Sequence, residues 1–515
     1  MELSAGTKTL LLFIQEDWKL LLCLTILFTL YFHYTSSFDY FENKGIKFMK
    51  PVIFFGNLAP RIRGSQSFHE FQVTIYNNFK GNPYGGFFEG RKPYLYILDP
   101  DIIKSVMIRD FDHFTDRNSI GSREPKYLSR SILNLKGAEW KAVRSIMTPI
   151  FSSARLKNML PLIQSCADQM VDFLKQYEDK DVDMKDCMGH FTLEVISATA
   201  FGIRSDALTA ENAEFVKVRK VLHLQTIHIN IYIFQFYFQI YLNISFLNSQ
   251  TMEKLNQILQ VTKAERRASS IKQNDFLQLM LDAAEKEKEQ ANDNEKLHLD
   301  DGTVDAQIIL FLLAGFETSS SVLSFAIHVL ATRPDIQEKL REHVIQVTEG
   351  KEINYDLLAQ LDYLEAFLNE TLRVYPPVPK VDRVVTKPYV LPGSSITLDV
   401  GLIISIPIYA IHMDPDIYPE PQEFRPERFS KENDARTSHL FLPFGTGPRV
   451  CIGLRFAMMS IKIAMVTLIK NFNFKMCAKT QHPVQFHKRA TIWILLIKSN
   501  TIYKNHSCRI ILAYK

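Results

Sequence analysis

Cysteine is scarce in this sequence: six residues among 515 (Cys23, Cys166, Cys187, Cys451, Cys477 and Cys508), with no CxxC pair. That spacing excludes a dense disulfide framework, and scattered cysteines of this kind are ordinary small apolar residues of a reducing compartment. Charge of one sign is also lacking. The net charge is +4 and no long basic run occurs, which argues against a nucleic-acid partner. No glycine fingerprint for a nucleotide, no short repeat and no Pro/Gly-rich linker divides the body, which reads as one large domain. Residues 20–32 and residues 221–252 carry no Asp, Glu, Lys or Arg.

What is present begins with the first of these. Residues 18–34 are mostly Leu, Ile and Phe, and their length meets the lower limit of about 17–25 for a spanning helix. The rival reading is a cleaved signal peptide, but only Ser36-Ser37 follows where a cleavage site is needed. Lys44, Lys47, Lys50, Arg61 and Arg63 come after the segment, while Lys8 and Lys19 before it are offset by Glu2, Glu16 and Asp17, so the body is placed in the cytosol. The expectation is an uncleaved anchor over 1–34 and one body over 35–515. The second uncharged stretch holds His223, Gln225, His228, Asn230, Gln235, Gln239 and Asn243, which a second span would have to desolvate. It reads as apolar helices and a loop over a pocket, dipping into the membrane surface. Phe is abundant, at 37 copies, and suggests an aromatic interior. Helical periodicity dominates from Glu139, with strands expected over 94–98, 389–391, 402–408 and 491–497. Residues 285–295 read as a solvated linker or loose helix end.

The most informative segment is Phe444-Gly445-Thr446-Gly447-Pro448-Arg449-Val450-Cys451-Ile452-Gly453. Its glycines allow a tight bend and the approach of a bulky planar group to the backbone. A helix is expected from Leu454, so Cys451 lies just before a helix N-terminus, where free N–H groups and the dipole favour a thiolate. A second segment, 305–332, reads as one apolar helix with Ala314-Gly315-Phe316-Glu317-Thr318 in its middle. Small residues there suit either a flat group or a helix crossing, and Thr318 can take a backbone carbonyl and bend the helix. Glu370 and Arg373 stand three apart on a helix stopped by Pro376-Pro377, and Arg428 follows in Pro426-Glu427-Arg428-Phe429. Trp140 and Arg144 share a helical face.

In this order the segments resemble the cytochrome P-450 family. F-x-x-G-x-R-x-C-x-G at Phe444, Gly447, Arg449, Cys451 and Gly453 matches its haem-binding loop, and A-G-x-[DE]-T matches its oxygen groove. The resemblance implies a mainly α fold with small β-sheets (α+β), a helical bundle around buried haem b with Cys451 as the iron ligand. A thiolate ligand donates electron density that favours O–O cleavage. It casts Thr318 as hydrogen-bond partner of the oxygen and Glu317 as the proton-relaying acid. Phe311, Ala314 and Gly315 would line the distal face, with Val378 also in the pocket. It makes Trp140, Arg144, Arg449, Arg383, Arg117 and Phe444 cofactor contacts, the cations meeting the propionates. Glu370, Arg373 and Arg428 become a buried structural network.

The likeness runs from the anchor to about Trp493. It is strongest to the insect family-6 microsomal group, through Gly315-Phe316-Glu317-Thr318-Ser319-Ser320, Pro407-Ile408-Tyr409-Ala410-Ile411-His412 and Leu442-Pro443-Phe444-Gly445. It implies an endoplasmic-reticulum monooxygenase for lipophilic xenobiotics, such as insecticides and plant toxins, or endogenous lipids. NADPH would supply electrons through a separate NADPH–cytochrome P-450 reductase, with cytochrome b5 as a second donor. Lys141, Lys157, Arg455 and Lys462 offer a basic docking face. A haem-thiolate isomerase would not need Glu317-Thr318, and a haem or ligand carrier could lose them, yet this chain has both. Two departures stand out. The proline hinge after the anchor is thin, with Pro51 and Gly56 alone. Lys380 occupies a position usually apolar; it is expected to point away from the pocket, whereas an inward ammonium would favour acidic substrates.

Overall fold

The computed structural model describes residues 5–118, 126–203, 249–290, 298–433, 439–486, 488 and 509–514. Most of the 221–252 stretch and all of the strand expected over 491–497 lie outside the described residues. Counting helices of ten residues or more, the order is α1 Ala5–Thr35, α2 Phe68–Phe79, α3 Gly137–Met147, α4 Ser153–Lys175, α5 Met184–Ile196, α6 Ser249–Ala268, α7 Phe276–Gln290, α8 Asp301–Thr332, α9 Pro334–Thr348, α10 Asp362–Val374 and α11 Leu454–Asn471. The strands are β1 Tyr84–Glu89, β2 Lys92–Ile97, β3 Asp181–Asp183, β4 Val381–Val384, β5 Tyr389–Val390, β6 Thr397–Leu398, β7 Ile403–Ile406, β8 Phe472–Met476 and β9 Arg509–Tyr514. The expected mainly helical class with small sheets is what forms.

Local chemistry explains several boundaries. The α2 helix, which lies before the region where helical periodicity was expected to dominate, starts at a capping box. Ser67 Oγ accepts the Glu70 N–H at 3.2 Å, and the Glu70 carboxylate accepts the Ser67 N–H at 2.6 Å. The α8 helix begins four residues before Asp305 because Asp300 caps it, accepting the Thr303 N–H at 2.9 Å. It stops ahead of Pro334. The strand expected over 402–408 ends at Ile406, and after Pro407 the chain turns into the short helix Ile408–His412.

Two large apolar cores form among the described residues. One gathers around α8, which is apolar on every side and mostly buried, as a central helix must be. The other surrounds a four-stranded sheet of order β1-β2-β7-β4, in which β2 and β7 run parallel and the other pairs antiparallel. A second sheet inserts β9 between β3 and β8. The stretch Trp18–Thr35 of α1 is apolar and has none of its length buried, which makes it a candidate membrane anchor.

Candidate active site

The cysteine loop closes on itself through a hydrogen bond from the Cys451 N–H to the Phe444 carbonyl at 3.0 Å. Gly445 and Gly447 both adopt left-handed backbone conformations, with φ of +70° and +72°. At Gly447 a side chain would also collide with the Met107 carbonyl oxygen, so the loop presses on the distant backbone segment Ser105–Arg109. Cys451 is exposed at the head of α11. The N–H groups of Gly453 and Leu454 and the charges of Arg117 and Arg144 favour its thiolate, as the helix start led one to expect. Desolvation by the surrounding protein nevertheless outweighs them and pushes the thiol above its ordinary value.

A cluster of cations borders the loop. Arg449 is buried and stacks over the Trp140 ring at 4.3 Å, while its Nη2 donates to the Leu135 carbonyl at 2.7 Å. Arg117 Nη2 donates to the Arg449 carbonyl at 3.1 Å. Arg383, on β4, is fully buried and donates to the carbonyl of Asp382 at 3.0 Å. Burial lowers all of these guanidinium groups, Arg449 to about 9; repulsion from neighbouring arginines adds to it at Arg383 and Arg449, while Cys451 opposes it at Arg117. The Nε atoms of Arg117, Arg383 and Arg449 are buried with no hydrogen-bond partner. Buried donors are rarely left so, and three of them around one cysteine fit a ligand bearing two carboxylates, as haem does. Arg144 stands one turn after Trp140 on α3, half-buried.

The α8 helix supplies the opposite wall. Between Thr303 and Ala331 nearly every residue is buried, yet Leu310, Phe311, Ala314, Gly315 and Thr318 are only half-buried. Apart from Leu310, their spacing is i, i+3, i+4, i+7, a single stripe along the helix. Thr318 Oγ donates to the Ala314 carbonyl at 2.6 Å, the backbone capture its position suggested. Phe311 stacks on Phe276 at 4.5 Å and approaches Phe456 of α11 at 5.4 Å, so its ring is held by core neighbours. Gly315 also borders α5. Its missing side chain is where Ile196 of α5 sits, 2.5 Å from a would-be Cβ, so this glycine permits a helix crossing. Glu317 is buried, with its carboxylate 3.2 Å from the Lys185 ammonium, which also donates to Ser320 and Ser321.

Glu370, Arg373 and Arg428 lie together. Arg373 grips Glu370 with two hydrogen bonds of 2.7 and 2.8 Å, both side chains fully buried, and Arg428 Nε lies 3.4 Å from the same carboxylate. Sequence reasoning missed His412, which carries this network to the cysteine loop. Its Nδ1 donates to the Arg373 carbonyl at 3.2 Å, and its Nε2 accepts the Leu442 N–H at 3.1 Å, two residues before Phe444. The signal was a histidine inside an apolar run ending in Met413-Asp414-Pro415.

Two surface expectations change. Lys462 does not belong to a docking face: it is buried and held by Glu365 at 2.9 Å and the Leu358 carbonyl at 3.0 Å. Lys157 is exposed but paired with Asp356, while Lys141 and Arg455 are exposed. Lys380 is buried against Glu89 and Asp382, so its charge is answered inside the protein. Val378, two residues earlier, is half-buried.

The cytochrome P450 family profile matches residues 47–504. Cytochrome P450 9e2 of Blattella germanica is 38% identical, over 88% of this chain and 92% of its own length. Cytochrome P450 3A6 of Oryctolagus cuniculus is also 38% identical, over 94% and 96%. Cytochrome P450 6k1 of Blattella germanica is 34% identical, over 92% and 94%. A cysteine loop at the head of a helix, an arginine cradle whose Nε atoms have no partner and a likeness to these proteins over most of the chain agree: the chain belongs to the cytochrome P450 family of haem-dependent monooxygenases.

Proposed function

We propose that this chain is a membrane-anchored monooxygenase that places one oxygen atom of O2 into small lipophilic molecules. The observation that carries this reading is the pairing of the Cys451 loop with the half-buried stripe of α8. Arg449, Arg383, Arg117, Arg144 and Trp140 would hold the haem by its carboxylates, with Phe444 beside the loop and Cys451 as iron ligand. The haem supplies the oxygen-activating redox chemistry. Thr318 presents its hydroxyl on the stripe and orients the proton supply. Glu317, held by Lys185 on the side toward α5, is the acid from which protons reach Thr318. Ala314 and Val378 line an apolar space that excludes water and accepts lipophilic substrates.

Residues 1–34 anchor the chain in the endoplasmic reticulum, and 35–515 form the catalytic domain. Electrons come from NADPH through the separate reductase, with cytochrome b5 as a second donor, and Lys141 and Arg455 remain available to an acidic partner. Xenobiotics and endogenous lipids are the substrate classes. The test is NADPH consumption with purified reductase and a panel of apolar compounds. Substrate-dependent consumption with hydroxylated product is expected, and haem-loaded protein that turns over none of the panel would contradict the reading.

A further inference from the structure

Lys380 is the departure that the monooxygenase reading leaves unused. Its side chain is 5% exposed, its ammonium lies 2.9 Å from Glu89 and 3.3 Å from Asp382, and it stands over the Tyr94 ring at 4.9 Å. Burial pulls the ammonium toward neutrality, but Asp382 and Glu89 outweigh it and hold it above its ordinary value. Stability alone does not account for such a group, because an apolar side chain commonly replaces a buried ion pair without loss.

Its place in the sheet suggests what it does. The β4 strand is a four-residue edge strand with a charged residue on each face, Asp382 and Arg383, and strands polar on both faces specify their register weakly. Neighbouring side chains on a strand point to opposite faces, so Asp382 and Arg383 face apart. Asp382 pairs across β7 at Ser405, which pairs in turn with Tyr96, and Tyr94 stands two residues earlier on the same face of β2. Clamping Lys380 and Asp382 to Glu89 and Tyr94 therefore fixes which way Arg383 points. The same cluster reaches the other cradle segment: Asn118 donates to the Tyr94 hydroxyl at 2.9 Å, and the Val384 N–H donates to the Asp116 carbonyl at 2.8 Å. Arg117 lies between Asp116 and Asn118.

We propose that Lys380, with Glu89, Asp382 and Tyr94, is a positioning residue that aims Arg383 and Arg117 at the haem carboxylates. This rests on the haem-binding reading above. Partners behind a cofactor's direct contacts commonly change its affinity by about 10–100-fold.

The test uses full-length, haem-loaded protein and follows haem transfer to excess apomyoglobin together with the ferric/ferrous midpoint potential. Lys380→Met is expected to speed transfer about tenfold and to lower the midpoint potential, since a positive charge near the haem favours the ferrous form. Lys380→Arg restores most of both. Tyr94→Phe keeps the ring, cuts the link to Asn118, and moves the transfer rate the same way by less; it carries the test if Lys380→Met fails to fold. Transfer at the wild-type rate in a folded Lys380→Met or in Tyr94→Phe overturns the proposal. So does a lower melting temperature with rate and potential unchanged. Wild-type protein that takes up no haem overturns the underlying reading as well, which separates the two failures.

Discussion

Gly445 and Gly447 stand two residues apart in the cysteine loop with nearly the same φ, yet different forces hold them. Around Gly445 there is open space, so only the backbone conformation asks for glycine. Alanine there is expected to cost about 1–2 kcal/mol, the usual left-handed penalty. At Gly447 the same penalty is joined by collision with the Met107 carbonyl, which is backbone and does not yield cheaply. Gly447→Ala is therefore expected to lower the unfolding midpoint in urea clearly more than Gly445→Ala and to reduce haem loading; equal effects would remove the Met107 contact from the account. Residue chemistry of this local kind was legible beforehand. The motif gave the loop, Cys451, Arg449 and the Glu370–Arg373 pair because each is short-range. Lys462 was misread because nothing near it in sequence shows that Glu365 of α10 answers its charge.

At the scale of elements, α8 shows where periodicity succeeds and where it stops. The apolar pattern located the helix to within four residues at its start, and the small residues marked its crowded middle. Which neighbour fills the space beside each small residue depends on the partner helix, which the pattern of α8 does not contain. Ala314, Gly315 and Thr318 share the half-buried stripe, and at Gly315 the space for a side chain is filled by Ile196. A methyl added at 315 overpacks that crossing, at a cost of about 1–3 kcal/mol. In a double-mutant cycle read by chemical denaturation, Ile196→Ala should recover most of the loss from Gly315→Ala. Strict additivity would mean the two residues do not share the contact.

For the whole molecule, long-range pairings were the least legible. The β9 strand pairs with β3 across more than three hundred residues of sequence, and no local pattern announces such a partner. Buried histidines are a second property of the whole fold. His69 and His412 are both desolvated first, then pushed further by Arg61 and Arg373 respectively, from 6.5 to about 3. Their folded values lie below the unfolded ones, so below pH 6.5 the unfolded chain takes up protons that the folded chain refuses. Stability is full above that pH and falls toward pH 3, by up to about 1.4 kcal/mol per pH unit for each histidine. Replacing His69 with Phe should flatten the fall in unfolding free energy between pH 6 and about pH 4 by that amount. An unchanged slope would show that His69 titrates normally in the fold.

The central claim is that Cys451 ligates the haem iron of this molecule. The ferrous–carbon monoxide spectrum of the full-length protein measures it directly. The wild type should show the red-shifted Soret band of a thiolate-ligated haem, and Cys451→His should show the shorter-wavelength band of a nitrogen-ligated one. A Soret position unchanged by the substitution would contradict the assignment.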